Sequence, residues 1–197
     1  MKSNRKILSA FLLVLVAMFF IFDYTAQAKD LPSKAVKKKF EWRSVTKDFL
    51  KYNIPLGWQE YPSILEHTII LAPEDHEKVI CGDGVPFYYL PSVNVTIYKN
   101  QRNLPMEVIY NAIKPAWGSL SDYELLDNRH VMDSDRDGYL TTFRYRRGPV
   151  NFISCHYLTG FTDSDKILNV EISFKADDYR NYSPDQLEKF LLNFNVE

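Results

Sequence analysis

An α+β fold, with an antiparallel sheet of about six or seven strands flanked by two main helices, follows from three features of the sequence. Short runs of alternating apolar and polar residues are separated by brief turns. One stretch after Pro105 repeats its apolar residues at helical spacing, and the C-terminal segment carries a complete helix-start signal.

In chain order, Phe49, Tyr52 and Ile54 open an alternating run that breaks at Pro55-Leu56-Gly57-Trp58, where proline and glycine dictate a turn. A second run closes on Thr68-Ile69-Ile70-Leu71. Pro73 to Pro86 reads as a loop, because it holds Gly82-Asp83-Gly84 and little periodicity. Ser92 to Lys99 is a half-buried strand, with Val93, Val95 and Ile97 facing one way and Asn94, Thr96 and Tyr98 the other. Pro105 starts a helix carrying Val108, Ile109, Ala112, Ile113 and Ala116 at helical spacing, and Pro115 is expected to kink or end it. Strands return over Tyr139 to Tyr145, Asn151 to Leu158 and Ile167 to Phe174. Their connectors, Gly148-Pro149 and Thr162-Asp163-Ser164-Asp165, are short enough to imply antiparallel hairpins. In the final helix Ser183 is the cap, Pro184 takes the first position and Gln186 completes a capping box. Leu187, Phe190 and Leu191 form its buried stripe.

Ahead of these elements, Lys2, Arg5 and Lys6 precede an apolar stretch from Ile7 to Phe22 interrupted only by Ser9, and Ala26-Gln27-Ala28 offers small residues for cleavage. Residues 1–28 therefore read as a secretory signal peptide. A helix of about 16 apolar residues spans roughly 24 Å, short of the ~30 Å hydrocarbon core of a bilayer. An uncleaved anchor is the alternative. The protein is expected to be exported, either periplasmic or secreted, or held at the membrane by that segment.

Residues 29–46 read as a basic linker and 47–197 as one folded domain. Of the chain's net −1, residues 1–28 carry +2, three bases against one Asp, and Lys29 to Lys47 carries +5, seven bases against two acids, leaving the body near −8. An acidic body lacks the basic face that nucleic acid demands. Lys37, Lys38 and Lys39 suit a solvated linker or a contact with anionic lipid or an acidic partner. Cys81 and Cys155 are the only cysteines. An even pair in an oxidising compartment is a candidate disulfide, closing a loop of about 75 residues worth roughly 4 kcal/mol; two buried thiols are the alternative.

Four segments, Asn53-Ile54-Pro55-Leu56-Gly57-Trp58, Ser92-Val93-Asn94-Val95, Gly138-Tyr139-Leu140-Thr141-Thr142-Phe143 and Ile172-Ser173-Phe174 before a closing helix, carry a resemblance over about Lys47 to Val196. In their order the chain resembles the superfamily of the photosystem II PsbP protein, the bacterial envelope protein DcrB and the Ran-binding Mog proteins. The resemblance implies an α/β/α sandwich around an antiparallel sheet and a non-enzymatic binding or assembly role. No ligand residue of the family can be matched here.

The sharpest local motif is Asp133-Ser134-Asp135-Arg136-Asp137-Gly138. Alternate carboxylates before a glycine begin an EF-hand loop, because calcium gathers oxygens around one tight turn. The twelfth position is Arg144 instead of Glu, so the expectation is an acidic hairpin turn with Gly138 at positive φ; Asp133, Asp135 and Asp137 are at most a weak calcium site. Glu74-Asp75-His76-Glu77 reads as a solvated loop, since adjacent residues seldom converge on one ion. His67, His130 and His156 are scattered singly and read as structural or surface residues.

No Gly-x-Ser-x-Gly, His-Glu-x-x-His, phosphate-cradling glycine loop or Cys-x-x-Cys occurs. Cys155 and His156 are neighbours on a strand, so their side chains point to opposite faces and form no nucleophile pair. Arg144 and Arg146 share a face, and with Arg147 suit either a solvated surface or anion recognition. Phe87-Tyr88-Tyr89 is a candidate docking patch, with burial in the core as its alternative.

The sequence thus points to an exported non-catalytic binding or assembly factor, needing no cofactor and acting on a protein partner in the envelope or outside it. The sheet edge or the loop between Pro73 and Pro91 would make the contact. A weak calcium- or small-ligand-binding protein using Asp133 to Asp137 is the second expectation. A hydrolase assembled from distant residues is the third.

Overall fold

The structure, a computed structural model, describes residues 41–196 apart from 48, 49, 64–66 and 86. The signal segment and most of the basic arm lie outside the described residues.

The centre is a seven-stranded antiparallel sheet in the order β3-β4-β7-β11-β10-β9-β8. Its strands are β3 (Trp58–Tyr61), β4 (Thr68–Pro73), β7 (Ser92–Lys99), β8 (Ser121–Met132), β9 (Arg136–Arg147), β10 (Val150–Phe161) and β11 (Lys166–Lys175). The three hairpins β8 to β11 follow from their short turns. Two smaller sheets flank this one: β1 (Trp42–Lys47), β2 (Leu50–Pro55) and β12 (Asn195–Val196) form one, and β5 (Glu77–Val79) with β6 (Tyr88–Leu90) forms the other. The helices are α1 (Met106–Gly118), the short α2 (Ala176–Tyr179) and α3 (Pro184–Leu192). Among the described residues no helix is long and apolar enough to cross a membrane.

Alternation along β10 divides the core into two layers. Ile153, Cys155 and Tyr157 face α3 and the sheet of β1, β2 and β12, among Tyr52, Phe174, Phe190 and Phe194. Phe152 and Leu158 face α1 and the β5–β6 ribbon, among Ile109, Tyr110, Ile113 and Trp117. The architecture is therefore an α/β/α sandwich. The capping box on α3 forms as expected, Ser183 Oγ accepting from the Gln186 amide at 3.2 Å.

Four expectations are corrected. Trp42–Lys47 is a strand paired with β2, so the folded unit reaches back into residues assigned to the basic linker. The loop after Pro73 contains β5, a strand too short for periodicity to reveal. Pro115 does not end α1, which runs on to Gly118. The carbonyl it leaves without a helical donor belongs to exposed Asn111, which water reaches, while Trp117 buries itself two residues later. Finally, no disulfide joins Cys81 and Cys155: both thiols are free and buried, one in each core layer with the sheet between them. Burial pushes each thiol up to about 11, so neither is a nucleophilic thiolate.

Candidate functional site

The β5–β6 ribbon turns the Phe87-Tyr88-Tyr89 segment into two faces. Because Val79 pairs with Tyr88 and Lys78 with Tyr89, Val79, Tyr88 and Leu90 point inward while Lys78 and Tyr89 point outward. The inward face is an anchor. The Tyr88 ring meets Phe152 edge-on at 6.0 Å, and its hydroxyl lies in hydrogen-bond contact with the Asp83 carboxylate and the Arg147 guanidinium. Arg147 also pairs with Asp83 at 3.2 Å, with both side chains largely buried. Burial first, and then the bond to Asp83, raise the Tyr88 hydroxyl well above the usual tyrosine range, while Arg147 opposes the shift. Arg147, read above with the other arginines as a surface or anion-recognition residue, is thus committed to this clamp. Arg144 and Arg146 do lie on the surface, paired with Glu124 at 3.3 Å and Asp122 at 2.6 Å.

Gly148 locks the clamp in place. At φ +55 it sits so close beneath the loop that a Cβ would stand 2.1 Å from the Cys81 carbonyl oxygen.

The outward face is an aromatic patch. Phe87 meets Tyr89 at 5.1 Å, Tyr89 meets both Tyr61 and His76 at 4.6 Å, and Tyr61 meets His76 at 4.7 Å. Phe87, Tyr89, Tyr61 and His76 are all half-buried. The His76 ring is oriented by Nδ1 donating to the Pro73 carbonyl at 2.8 Å, and Lys78 stands 4.6 Å over the Phe87 ring. Ile80, just past β5, is 71 % exposed. Tyr61 ends β3, the outermost strand on its side of the main sheet, so the patch joins the sheet edge and the ribbon. Tyr61 and His76 were not legible as partners, since 28 residues of sequence separate Tyr61 from Tyr89.

The carboxylates of the acidic hairpin are spread among separate partners. Asp137 pairs with His130 Nε2 at 2.6 Å, Asp135 lies 3.8 Å from Arg136, and the Asp133 amide closes the turn onto the Arg136 carbonyl at 2.9 Å. Among the described residues no three His, Cys, Asp or Glu side chains gather to hold a metal ion. Gly138 has no positive φ either; it is needed because a Cβ would stand 2.5 Å from the Leu158 carbonyl oxygen on the neighbouring strand. In the other acidic run, Glu74 and Asp75 are exposed while Glu77 turns to Lys175, so those residues diverge as expected.

A second polar group lies at the middle of the sheet, on the α1 face. His156 and Ser154 of β10 stand opposite Glu171 and Ser173 of β11. Ser154 Oγ and Ser173 Oγ lie 2.7 Å apart and both donate to Glu171 Oε1, at 3.2 and 2.9 Å. His156 is 4 % exposed, capped by the rings of Trp117 at 4.8 Å and Phe143 at 5.0 Å, and its Nε2 is 3.6 Å from Glu171 Oε1. Burial pushes its pKa down, opposed by Glu171 and the Asn169 amide. The serine hydroxyls address the carboxylate and not the imidazole, so this is no Ser-His-acid relay. His156 read as a lone structural residue; the signal that was present is Ser-x-His on one strand with Glu-x-Ser on the next.

No family model matches the chain, and no curated protein matches it. Solved structures do. The Ran-binding protein Mog1p of Saccharomyces cerevisiae superposes with a TM-score of 0.52 at 11% identity, over 80% of this chain and 96% of its own. Cyanobacterial PsbP from Synechocystis gives 0.50 at 12% identity, over 86% and 98%. LpqN of Mycobacterium tuberculosis, described as involved in cell envelope biogenesis, gives 0.51 at 8% identity, over 81% and 92%. The chain has the PsbP/Mog-like fold.

Proposed function

We propose that this protein is an exported, non-catalytic binding or assembly factor for another component of the cell envelope, and that it grips that component with the outward face of the β5–β6 ribbon. The observation that carries this reading is the division of labour within three consecutive residues. Tyr88 is tied down by Asp83 and Arg147, and this holds the rings of Phe87 and Tyr89 half-exposed beside a sheet edge. A fixed aromatic pair loses little side-chain freedom on contact, which is what a recognition surface requires. Export is supported by the basic, apolar and small-residue order of the first 28 residues. Neighbours described as Ran-binding and as acting in envelope biogenesis agree with a binding role by analogy of fold alone.

The test is site-specific photocrosslinking in the cells of origin. A photoreactive residue at Tyr89 is expected to give a discrete adduct that Phe87→Ala removes. The same residue at Val108, exposed on α1, is expected to give none. No adduct at Tyr89, or the same adduct from both positions, overturns the proposal.

A further inference from the structure

The polar group under α1 carries an inference independent of the ribbon. Buried polar atoms are ordinarily satisfied, because an unpaired one costs about 1–3 kcal/mol. Here both His156 ring nitrogens and Asn169 Oδ1 are buried without a hydrogen-bond partner. The Asn169 amide influences the ring, yet neither group closes a bond with the other. Asn169 precedes Glu171 by two residues on the same face of β11, one diagonal step from His156. The groups left open are thus an imidazole and an amide oxygen, beside a carboxylate whose Oε1 accepts from two serines, a set dominated by acceptors. Their natural complement is a cation.

The spacing separates an ammonium from a metal. An ammonium donating to two acceptors at ~2.8 Å in tetrahedral directions needs them roughly 4.6 Å apart. Ligands bound to a tetrahedral zinc at ~2.0–2.1 Å stand roughly 3.4 Å apart. His156 Nε2 and Glu171 Oε1 are 3.6 Å apart. The supporting shell is present as well: Ser154 and Ser173 both donate to Glu171 Oε1 and hold the carboxylate in place. The Glu171 side chain is 26% exposed, which leaves a path from solvent.

We propose that His156 Nε2, Glu171 and the Asn169 amide oxygen form a binding site for one divalent transition metal of borderline softness, zinc being the reference ion. Imidazole with oxygen ligands suits that class, and the set holds two protein ligands of the usual kinds plus an amide, leaving a position for water.

The experiment is titration of the untagged, chelator-treated full chain with zinc, followed by calorimetry and thermal unfolding, and with cobalt, followed by visible absorption. One ion per chain, a rise in Tm and the absorption bands of four-coordinate cobalt are expected. His156→Gln is expected to abolish all three. Glu171→Gln, on a part-exposed side chain, tests the site without emptying the core and is expected to weaken binding by more than Ser173→Ala, itself on the order of tenfold. His130→Gln, on the surface hairpin, is expected to leave binding unchanged. Absence of stoichiometric binding, cobalt spectra of a six-coordinate ion, or equal loss with His130→Gln overturns the proposal. If His156→Gln fails to fold, unchanged binding in Glu171→Gln overturns it instead.

Discussion

Under α3 the central sheet offers a closed apolar layer, whereas under α1 the same strands offer a layer interrupted by His156, Glu171, Ser154 and Ser173. Tyr52, Phe174, Phe190 and Phe194 on the first side are all at or below 2 % exposure, and they draw together segments from both ends of the domain, β2, α3 and the residue before β12. On the second side the apolar residues of α1 and the ribbon surround a polar centre. The difference teaches where the fold keeps its stability. Apolar burial is favourable in proportion to area, while a buried polar group offsets its desolvation only when it is hydrogen-bonded, and then by little. One face holds the domain together, and the other can carry chemistry at modest cost.

The largest effect should therefore come from the closed face. Phe190 is fully buried and meets Trp42, Trp58 and Phe194 with ring centroids at 5.3, 5.6 and 5.8 Å. Phe190→Ala is expected to lower stability by ~3–5 kcal/mol in urea unfolding, through lost burial and the cavity left behind. A loss below about 1 kcal/mol would mean that the closed face is not where stability resides.

The residues that build this closed face were largely legible in the sequence, and those of the polar centre were not. Leu187, Phe190 and Leu191 announce themselves by spacing behind a capping box, and the Val93 to Ile97 alternation follows from period-two geometry; both are local signals. Pro115 shows a local rule overridden, because the carbonyl it strands belongs to exposed Asn111 and the helix goes on to bury Trp117. His156 with Glu171, and Tyr61 with Tyr89, depend on register between strands far apart in the chain, which no single-strand pattern encodes. The ribbon was only half legible for a simpler reason: Phe87-Tyr88-Tyr89 stood out by composition, but which ring is anchor and which is surface is set by pairing with Lys78 and Val79. The cysteine pair shows the converse, a sequence inference that fails once the two residues fall on opposite sides of one sheet.

A second, intermediate effect belongs to the polar face at high pH. Burial first, and Glu171 next, push the Tyr145 hydroxyl up to about 12. The folded protein keeps this group neutral while the unfolded chain ionises near the ordinary value of 10.0. Stability is therefore retained below about pH 10 and lost as pH rises through about 12. Between those limits Tyr145→Phe is expected to lose on the order of 2 kcal/mol less than the parent chain, read as a difference in urea midpoints. Identical alkaline losses in the two proteins would show that the polar centre is more open to water than its packing implies.

The smallest effect is the sharpest test of the contrast. Ser154 is fully buried, so on burial alone its loss should resemble that of a core residue. Its partners are redundant, however: Glu171 Oε1 retains the Ser173 donor at 2.9 Å, and Ser173 loses only one of two contacts. Ser154→Ala removes a hydroxyl without stranding an acceptor, so it is expected to cost only ~0.5–1.5 kcal/mol, the usual net worth of one hydrogen bond. Urea unfolding of Ser154→Ala beside Phe190→Ala then compares two equally buried sites on opposite faces. Equal losses would erase the distinction between the faces; a gap of about 2 kcal/mol or more makes the polar centre a feature the domain tolerates and not one that its stability requires.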